Sequence, residues 1–177
     1  MTESTSSHTH LSAVQGDITR QPDCDCIVNA AKRTLGPGGG VCGAIHAAAG
    51  PELARYCALL GPVPVASALL TPGFGLPNRY VIHTVGPRFD VDADPHRLLE
   101  LAMVNTLAVA DAAGVRRIAV PAVSMGTYRF PAREGAERLT SIARKMRPGF
   151  QSLEEVRFVL YEPDVYAAFA EALACPA

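Results

Sequence analysis

The chain has 177 residues, 49% hydrophobic, 19% charged and 6% aromatic with no Trp; that length allows one sizeable core but hardly two, and the composition excludes a disordered or fibrous chain. Sixteen basic residues against seventeen acidic ones leave a formal charge of −1. Nothing therefore pulls the molecule as a whole toward nucleic acid or an anionic membrane, and any anionic ligand has to be held by local groups.

No uncharged apolar run approaches the ~18–20 residues of a membrane span, and the start MTESTSSHTH has neither the basic nor the apolar region of a signal peptide. A cytoplasmic protein with no membrane partner is expected. Five cysteines, Cys24, Cys26, Cys42, Cys57 and Cys175, are an odd number without repeated spacing, which fits reduced thiols rather than a disulfide framework. Residues 1–10 are rich in Ser, Thr and His and read as a disordered lead, so His8 and His10 receive no function. Residues 11–177 then form a single domain.

Along that domain, short β-prone runs alternate with helical patterns. Leu11–Gln15 and Cys26–Ala31 read as strands, and Val41–Gly50 as a helix closed by Gly50-Pro51. Arg79–Val85 (RYVIHTV) is a strand. Asp94 then offers an N-cap and Pro95 a first helical residue for a helix to Gly114, with Leu98, Leu101, Ala102, Asn105 and Ala108 as its stripe. Arg117–Val123 is a buried type of strand, and the helix from Pro131 to Arg147 carries Ala132, Ala136, Leu139, Ala143 and Met146 on one face. Arg133, Arg138, Arg144, Lys145 and Arg147 read as its solvated face. Glu155–Tyr161 is a last strand, and Pro163–Leu173 a last helix with Val165, Phe169 and Leu173 aligned. Strands apolar on both faces and alternating with helices predict an α/β fold, a sheet sandwiched between helix layers, with ligands outside the carboxyl ends of the strands.

Three loops at strand ends carry the chemistry. In residues 27–46 a strand leads through Gly36, Gly38, Gly39 and Gly40 into a helix, a plausible diphosphate cradle because glycines admit close approach and a helix start is electropositive. The spacing Gly38-x-Gly40-x-x-Gly43 matches the dinucleotide fingerprint only formally. Lys32–Pro37 separate it from the strand, and residues 58–64 (ALLGPVP) hold no ribose-binding acid. No Gly-Lys-Ser/Thr is present, which excludes a Walker-type loop. The loop from Ser124 to Pro131 (SMGTYRFP) offers backbone donors, a glycine and hydroxyls to an anion. Asp17, in Gly16-Asp17-Ile18-Thr19, is either an ordinary turn residue or an acceptor for an exocyclic amine.

Taken together, GDIT (16–19), IVNAA (27–31), GGGV-x-GAIH-x-AAG (38–50), YVIHTVGP (80–87), PA-x-S-x-G-x-Y-x-F-P (121–131) and LY (160–161) resemble the macrodomain family, and within it the MacroD-type branch. The resemblance spans about Leu11 to Leu173. It implies a three-layer α/β/α sandwich with a mixed, mostly parallel central sheet and an ADP-ribose cleft at the strand ends. On that resemblance Asp17 holds the adenine amine, Ile18 lies against the ring and Tyr161 offers its own ring to it. Asn29 sits beside the distal ribose. Gly39, Gly40 and Val41 cradle one side of the phosphates, while Ser124, Met125, Gly126, Thr127 and Tyr128 cover the other.

The family signature usually continues Asn-Ala-Ala-Asn and places an Asp after Gly-Gly-Gly-Val, whereas this chain has Lys32 and Cys42 there. Asn29, Lys32 and Cys42 are therefore the candidate catalytic residues. Lys has no acceptor and a thiol is a poor carboxylate substitute, so binding is better supported than turnover. One reading is a hydrolase removing mono-ADP-ribose from protein carboxylates or deacetylating O-acetyl-ADP-ribose, with Lys32 stabilising a leaving carboxylate and Cys42 partly thiolate. The alternative is a reader that binds ADP-ribose or ADP-ribosylated protein without turnover. Arg129 adds a phosphate contact or points to solvent, and Val63-Pro64-Val65 also departs from the pattern. Cys42 and His46 are one helical turn apart but have no visible third ligand, so no metal is expected; His83 reads as a buried strand histidine. No cofactor is required, and a monomer is the default.

Overall fold

The computed structural model describes residues 9–175, so most of the lead expected at the N-terminus, including His8, lies outside the described residues. Strand β1 (His10–Gln15) begins one residue before the expected domain start, and Thr9 is already buried, its Oγ1 donating to the Leu153 carbonyl at 2.7 Å. The remaining strands are β2 (Cys26–Ala30), β3 (Ala68–Pro72), β4 (Tyr80–Thr84), β5 (Arg117–Val120) and β6 (Glu155–Leu160). They form one sheet in the order β1-β6-β5-β2-β4-β3, with β3 antiparallel to β4 and every other pairing parallel. This is the α/β sandwich that the alternating pattern predicts, with the mixed, mostly parallel sheet that the resemblance implies.

Helices α1 (Gly40–Ala49) and α2 (Pro51–Ala58) cover one face, while α3 (Pro95–Ala112), α4 (Ala132–Met146) and α5 (Pro163–Ala174) cover the other. Strand alternation divides the core accordingly. Cys26, Val28, Ile82, Ile118, Val156 and Phe158 face α3, α4 and α5; Ile27, Val81, Ala119 and Val159 face α1 and α2. By the same parity Asn29 and His83 lie beneath α1, and the β2–β4 register sets them directly opposite each other.

Several expectations change. Helix α2 follows α1 at once, because Gly50 at φ 83° ends one helix and precedes Pro51, the first residue of the next. Strand β5 stops at Val120 rather than Val123: Pro121 has no N–H for the ladder, and the Val123 N–H turns back to its carbonyl at 2.9 Å. Along α3 the buried face is Leu99, Ala102, Met103, Thr106, Leu107 and Ala110, rotated by about one position from the expected stripe, with Leu101 exposed. Arg97, Glu100 and Asp111 share one side of that helix and the buried face lies away from them, while the apolar Leu101 and Ala108 on the charged side blur the stripe. The basic residues of α4 are not simply solvated: Arg138 pairs with Glu100 of α3, Arg133 with Glu171 of α5, and Arg144 caps the Ala172 and Leu173 carbonyls at 2.8 Å.

Candidate functional site

The β2–α1 connection is pinned before its glycines begin. The Ala31 N–H bonds the Thr84 carbonyl at 2.9 Å, the Leu35 N–H closes a turn on the Lys32 carbonyl at 2.9 Å, and the Leu35 side chain is fully buried. Helix α1 then opens at Gly39 without any side-chain cap, leaving the first backbone N–H groups of the helix available to an anion. Gly40 has φ +55°, and an added Cβ at Gly39 or Gly40 meets nothing within 4 Å because both border open space. Gly43 serves a different end: a Cβ there would lie 2.5 Å from the Gly38 carbonyl, so its absence lets the loop fold onto α1.

Facing this loop is the segment after β5. Ser124 has φ 68°, its hydroxyl is buried without a partner, and the Phe130 N–H holds its carbonyl at 2.9 Å. A Cβ at Gly86 would collide with Ser124 Oγ, so Gly86 is required for the close approach of the two loops. The cleft between them has a volume of about 270 Å³ and is lined by Lys32, Gly38 to Cys42, Gly86, Ser124 and Gly126 to Tyr128, with Ala30, Ala31, Ala122 and Val123 as its floor. No carboxylate and no histidine lines it. Lys32 is its sole charged side chain.

Beneath the floor runs a buried polar chain. Asn29 Nδ2 lies 3.7 Å from Cys42 Sγ and 3.1 Å from His83 Nδ1, and His83 Nε2 lies 3.0 Å from Thr71 Oγ1, which donates onward to the Pro72 carbonyl. These directions assign His83 a proton on Nε2 and an acceptor at Nδ1. Burial pushes the His83 imidazole down to about 4, so it stays neutral. Burial likewise pushes the Cys42 thiol up, against weaker opposing effects of the Asn29 hydrogen bond and the Lys32 charge. Cys42 is thus a protonated thiol donating to the Gly36 carbonyl at 3.6 Å, rather than the partial thiolate entertained from its place near a helix start. Asn29 Oδ1 and both ring nitrogens of His46 are buried without partners. Among the described residues, no three His, Cys, Asp or Glu side chains converge as metal ligands.

The remaining candidates stand along the same strand ends. Asp17 Oδ1 accepts from Thr19 N at 2.9 Å and Thr19 Oγ1 at 2.7 Å. The Thr19 hydroxyl holds the Asp17 carboxyl below its usual range, while Oδ2 lies 3.8 Å from Arg20 Nε and the Asp17 side chain is 41% exposed. Ile18 is buried beside it. Tyr161 follows β6 and is 76% exposed, and the Gly16 N–H bond to the Leu160 carbonyl brings the Asp17 and Tyr161 segments side by side. Both residues lie outside the lining of the cleft proper.

A sequence model described as the macro domain matches residues 28–139. The O-acetyl-ADP-ribose deacetylase of Escherichia fergusonii is 42% identical over 159 residues, covering 87% of this chain and 89% of that one. The chain belongs to the macro domain family. Among solved macro domains, that of Oceanobacillus iheyensis with ADP superposes with a TM-score of 0.87 at 34% identity, covering 92% of this chain and 88% of that one. The Trypanosoma brucei macrodomain in complex with ADP-ribose gives 0.86 at 34% identity, covering 93% and 69%.

Within this macro domain the structure brings Lys32, Gly39, Gly40, Val41, Cys42, Ser124, Gly126, Thr127 and Tyr128 to one cleft. It sets Asn29 one layer below and turns Met125 away: a Cβ on Gly135 would strike the Met125 side chain, which therefore packs on the first turn of α4. Arg129 takes the solvent reading, 80% exposed and 3.9 Å from Asp90. Gly86 stood within the quoted YVIHTVGP run but was given no role, although the Gly86-Pro87 step directly after a strand was the available signal; His46 was weighed only as a metal ligand beside Cys42.

Proposed function

We propose that this macro domain binds ADP-ribose across the strand ends and slowly hydrolyses the linkage at its terminal ribose, releasing mono-ADP-ribose from protein carboxylates or deacetylating O-acetyl-ADP-ribose. The observation that carries the binding is the cleft itself: an uncapped helix start with open space over Gly39 and Gly40, opposite the Ser124–Tyr128 loop. From β1, where Asp17 stands, to β2, which leads into Lys32, the sheet order crosses three strand spacings, about 14 Å. That is room for adenine at Asp17 and Tyr161, the diphosphate over Gly40 and the terminal ribose toward Lys32 and Cys42. The ADP and ADP-ribose named with the two solved relatives support the binding, and the deacetylase relative supports the hydrolytic part.

A general base contributes ~10²–10⁴ in rate, and a protonated Cys42 in a cleft without a carboxylate supplies none. The same observation favours a second reading, a module that binds ADP-ribose or ADP-ribosylated protein without turnover. In either reading residues 11–177 act as one domain, as a monomer and without a cofactor. The five cysteines are free, which supports a cytoplasmic setting; among the described residues no helix is long and apolar enough to cross a membrane. Calorimetric titration with ADP-ribose tests the binding, with a dissociation constant of about 1 μM expected and NAD much weaker. Release of ADP-ribose from an ADP-ribosyl-glutamate peptide then separates hydrolase from reader.

A further inference from the structure

The end of the molecule remote from the cleft carries a second concentration of positive charge. Helix α4 begins beside the Ser124–Tyr128 loop and runs 15 residues, about 22 Å, so its last turn lies at the opposite ends of the strands. There Arg144 and Arg147, the latter opening a short 3₁₀ turn over Arg147–Gly149, meet the start of β1 and the end of α5. They surround a cavity of about 290 Å³ lined by Thr9, His10, Leu11, Arg144, Arg147 and Leu173. No carboxylate lines it, and among the described residues neither arginine belongs to an ion pair. By contrast Arg88, Arg116, Arg129, Arg133, Arg138 and Arg157 each have an acid within reach. Arg144 Nη2 donates to the Ala172 and Leu173 carbonyls, which leaves the protons of Nε and Nη1 for another acceptor. Arg147 Nε is enclosed without any acceptor.

The negative end of α4 accounts for basic residues in its last turn. It does not account for a guanidinium N–H shut away from every acceptor, which is unfavourable as it stands, nor for two guanidinium groups sharing one cavity with no acid between them. We propose that this cavity is a phosphoryl-binding site, in which a compact oxyanion, either free phosphate or the phosphoryl group of a monoester, is held between Arg144 and Arg147 with His10 at its mouth. The planar guanidinium fork matches the spacing of phosphate oxygens, and such a ligand gives Arg147 the acceptor it lacks. The exposed His10 ring adds a further N–H. A volume of about 290 Å³ lies at the lower edge of small-molecule pockets, which suits a phosphoryl group rather than a whole enclosed nucleotide. The site is independent of the ADP-ribose reading, because it shares no lining residue with the cleft.

Titration of isotope-labelled protein with inorganic phosphate, followed by amide NMR shifts at constant ionic strength, locates the ligand without assuming what the cleft binds. The amides of Thr9, His10, Leu11, Arg147 and Leu173 should shift saturably, with a dissociation constant of about 1 mM. Arg147→Met should weaken this titration by about tenfold or more, as expected for loss of a charge-assisted contact. Lys145→Met removes an equal charge beside the cavity but outside its lining, and should change the affinity by less than about twofold. Glycerol phosphate titrated in the same way tells the two sources apart: a monoester site binds it at least as tightly as inorganic phosphate, and a free-ion site about tenfold less tightly. Saturable shifts confined to Gly39, Gly40, Val41 and the Ser124–Tyr128 loop would overturn the proposal, since the phosphate would then occupy the cleft alone. Equal losses in Arg147→Met and Lys145→Met, or the absence of any saturable shift around Arg147, would overturn it as well.

Discussion

Gly40→Glu tests where the phosphates lie, because two separable costs can be worked out at that residue. The backbone there is left-handed at φ +55°, which costs a non-glycine residue about 1–2 kcal/mol. For a domain of this size that lowers Tm by about 2–8 °C. The side chain itself meets no obstacle, since nothing lies within 4 Å of an added Cβ, so the fold should persist. It points instead into the space assigned to the diphosphate. A carboxylate about 4 Å from each of two phosphate charges costs about 2 kcal/mol in a water-like medium and about 8 kcal/mol at an effective dielectric of 20. Affinity for both ADP and ADP-ribose should therefore fall by at least about 30-fold. Gly40→Ala carries the same backbone strain without the charge or the bulk; it should lose a similar Tm and keep its affinity within about threefold. Calorimetry and thermal unfolding on the two variants read both quantities. A folded Gly40→Glu protein that titrates ADP-ribose like the wild type would put the phosphates elsewhere and refute the cradle.

Three further outcomes are expected. Asp17→Ala should weaken ADP and ADP-ribose together by about 1.5–3 kcal/mol through loss of a charged acceptor, and lower Tm slightly because Oδ1 also caps the turn at Thr19; unchanged affinity by calorimetry would leave Asp17 as a turn residue only. Cys42→Asp should raise turnover of an ADP-ribosyl-glutamate substrate by about 10²–10⁴ with little change in KM, and a single-turnover assay showing no gain would contradict the account of a missing base. His83 has a folded pKa of about 4, below the ordinary value of about 6.5, so its contribution to stability is complete above pH ~6.5 and is lost as pH falls toward 4, by about 3 kcal/mol. Urea unfolding across that window should show the slope, and His83→Gln should flatten it.

The glycine run before α1 and the small, polar loop after β5 were legible as an anion site, because close backbone approach and uncapped helix starts depend on residues adjacent in sequence. What faces that site was not. Asn29 meets His83 because β2 and β4 pair in one register, and it meets Cys42 because α1 packs over that face of the sheet. Cys42 is protonated because those same neighbours bury it and offer the Gly36 carbonyl as acceptor. Nothing local to Val41-Cys42-Gly43 separates that thiol from a reactive one.

The elements divide along the same line. Asp94-Pro95, Gly50-Pro51 and the apolar runs around Ile27, Ile82, Ile118 and Phe158 identified the alternation of strands and helices unaided, since caps, breakers and two-faced burial are written in contiguous residues. Strand β3 was invisible: its alternation is weak, it ends in a proline, and it exists because β4 offers an antiparallel edge. The buried side of α3 packs against the sheet and α4, away from Arg97, Glu100 and Asp111, and Leu101 and Ala108 on the charged side hid it from the stripe read in sequence. By the same reasoning Lys32 was legible as a departure from a pattern, but its standing as the single charge lining the cleft was decided only when distant loops closed around it.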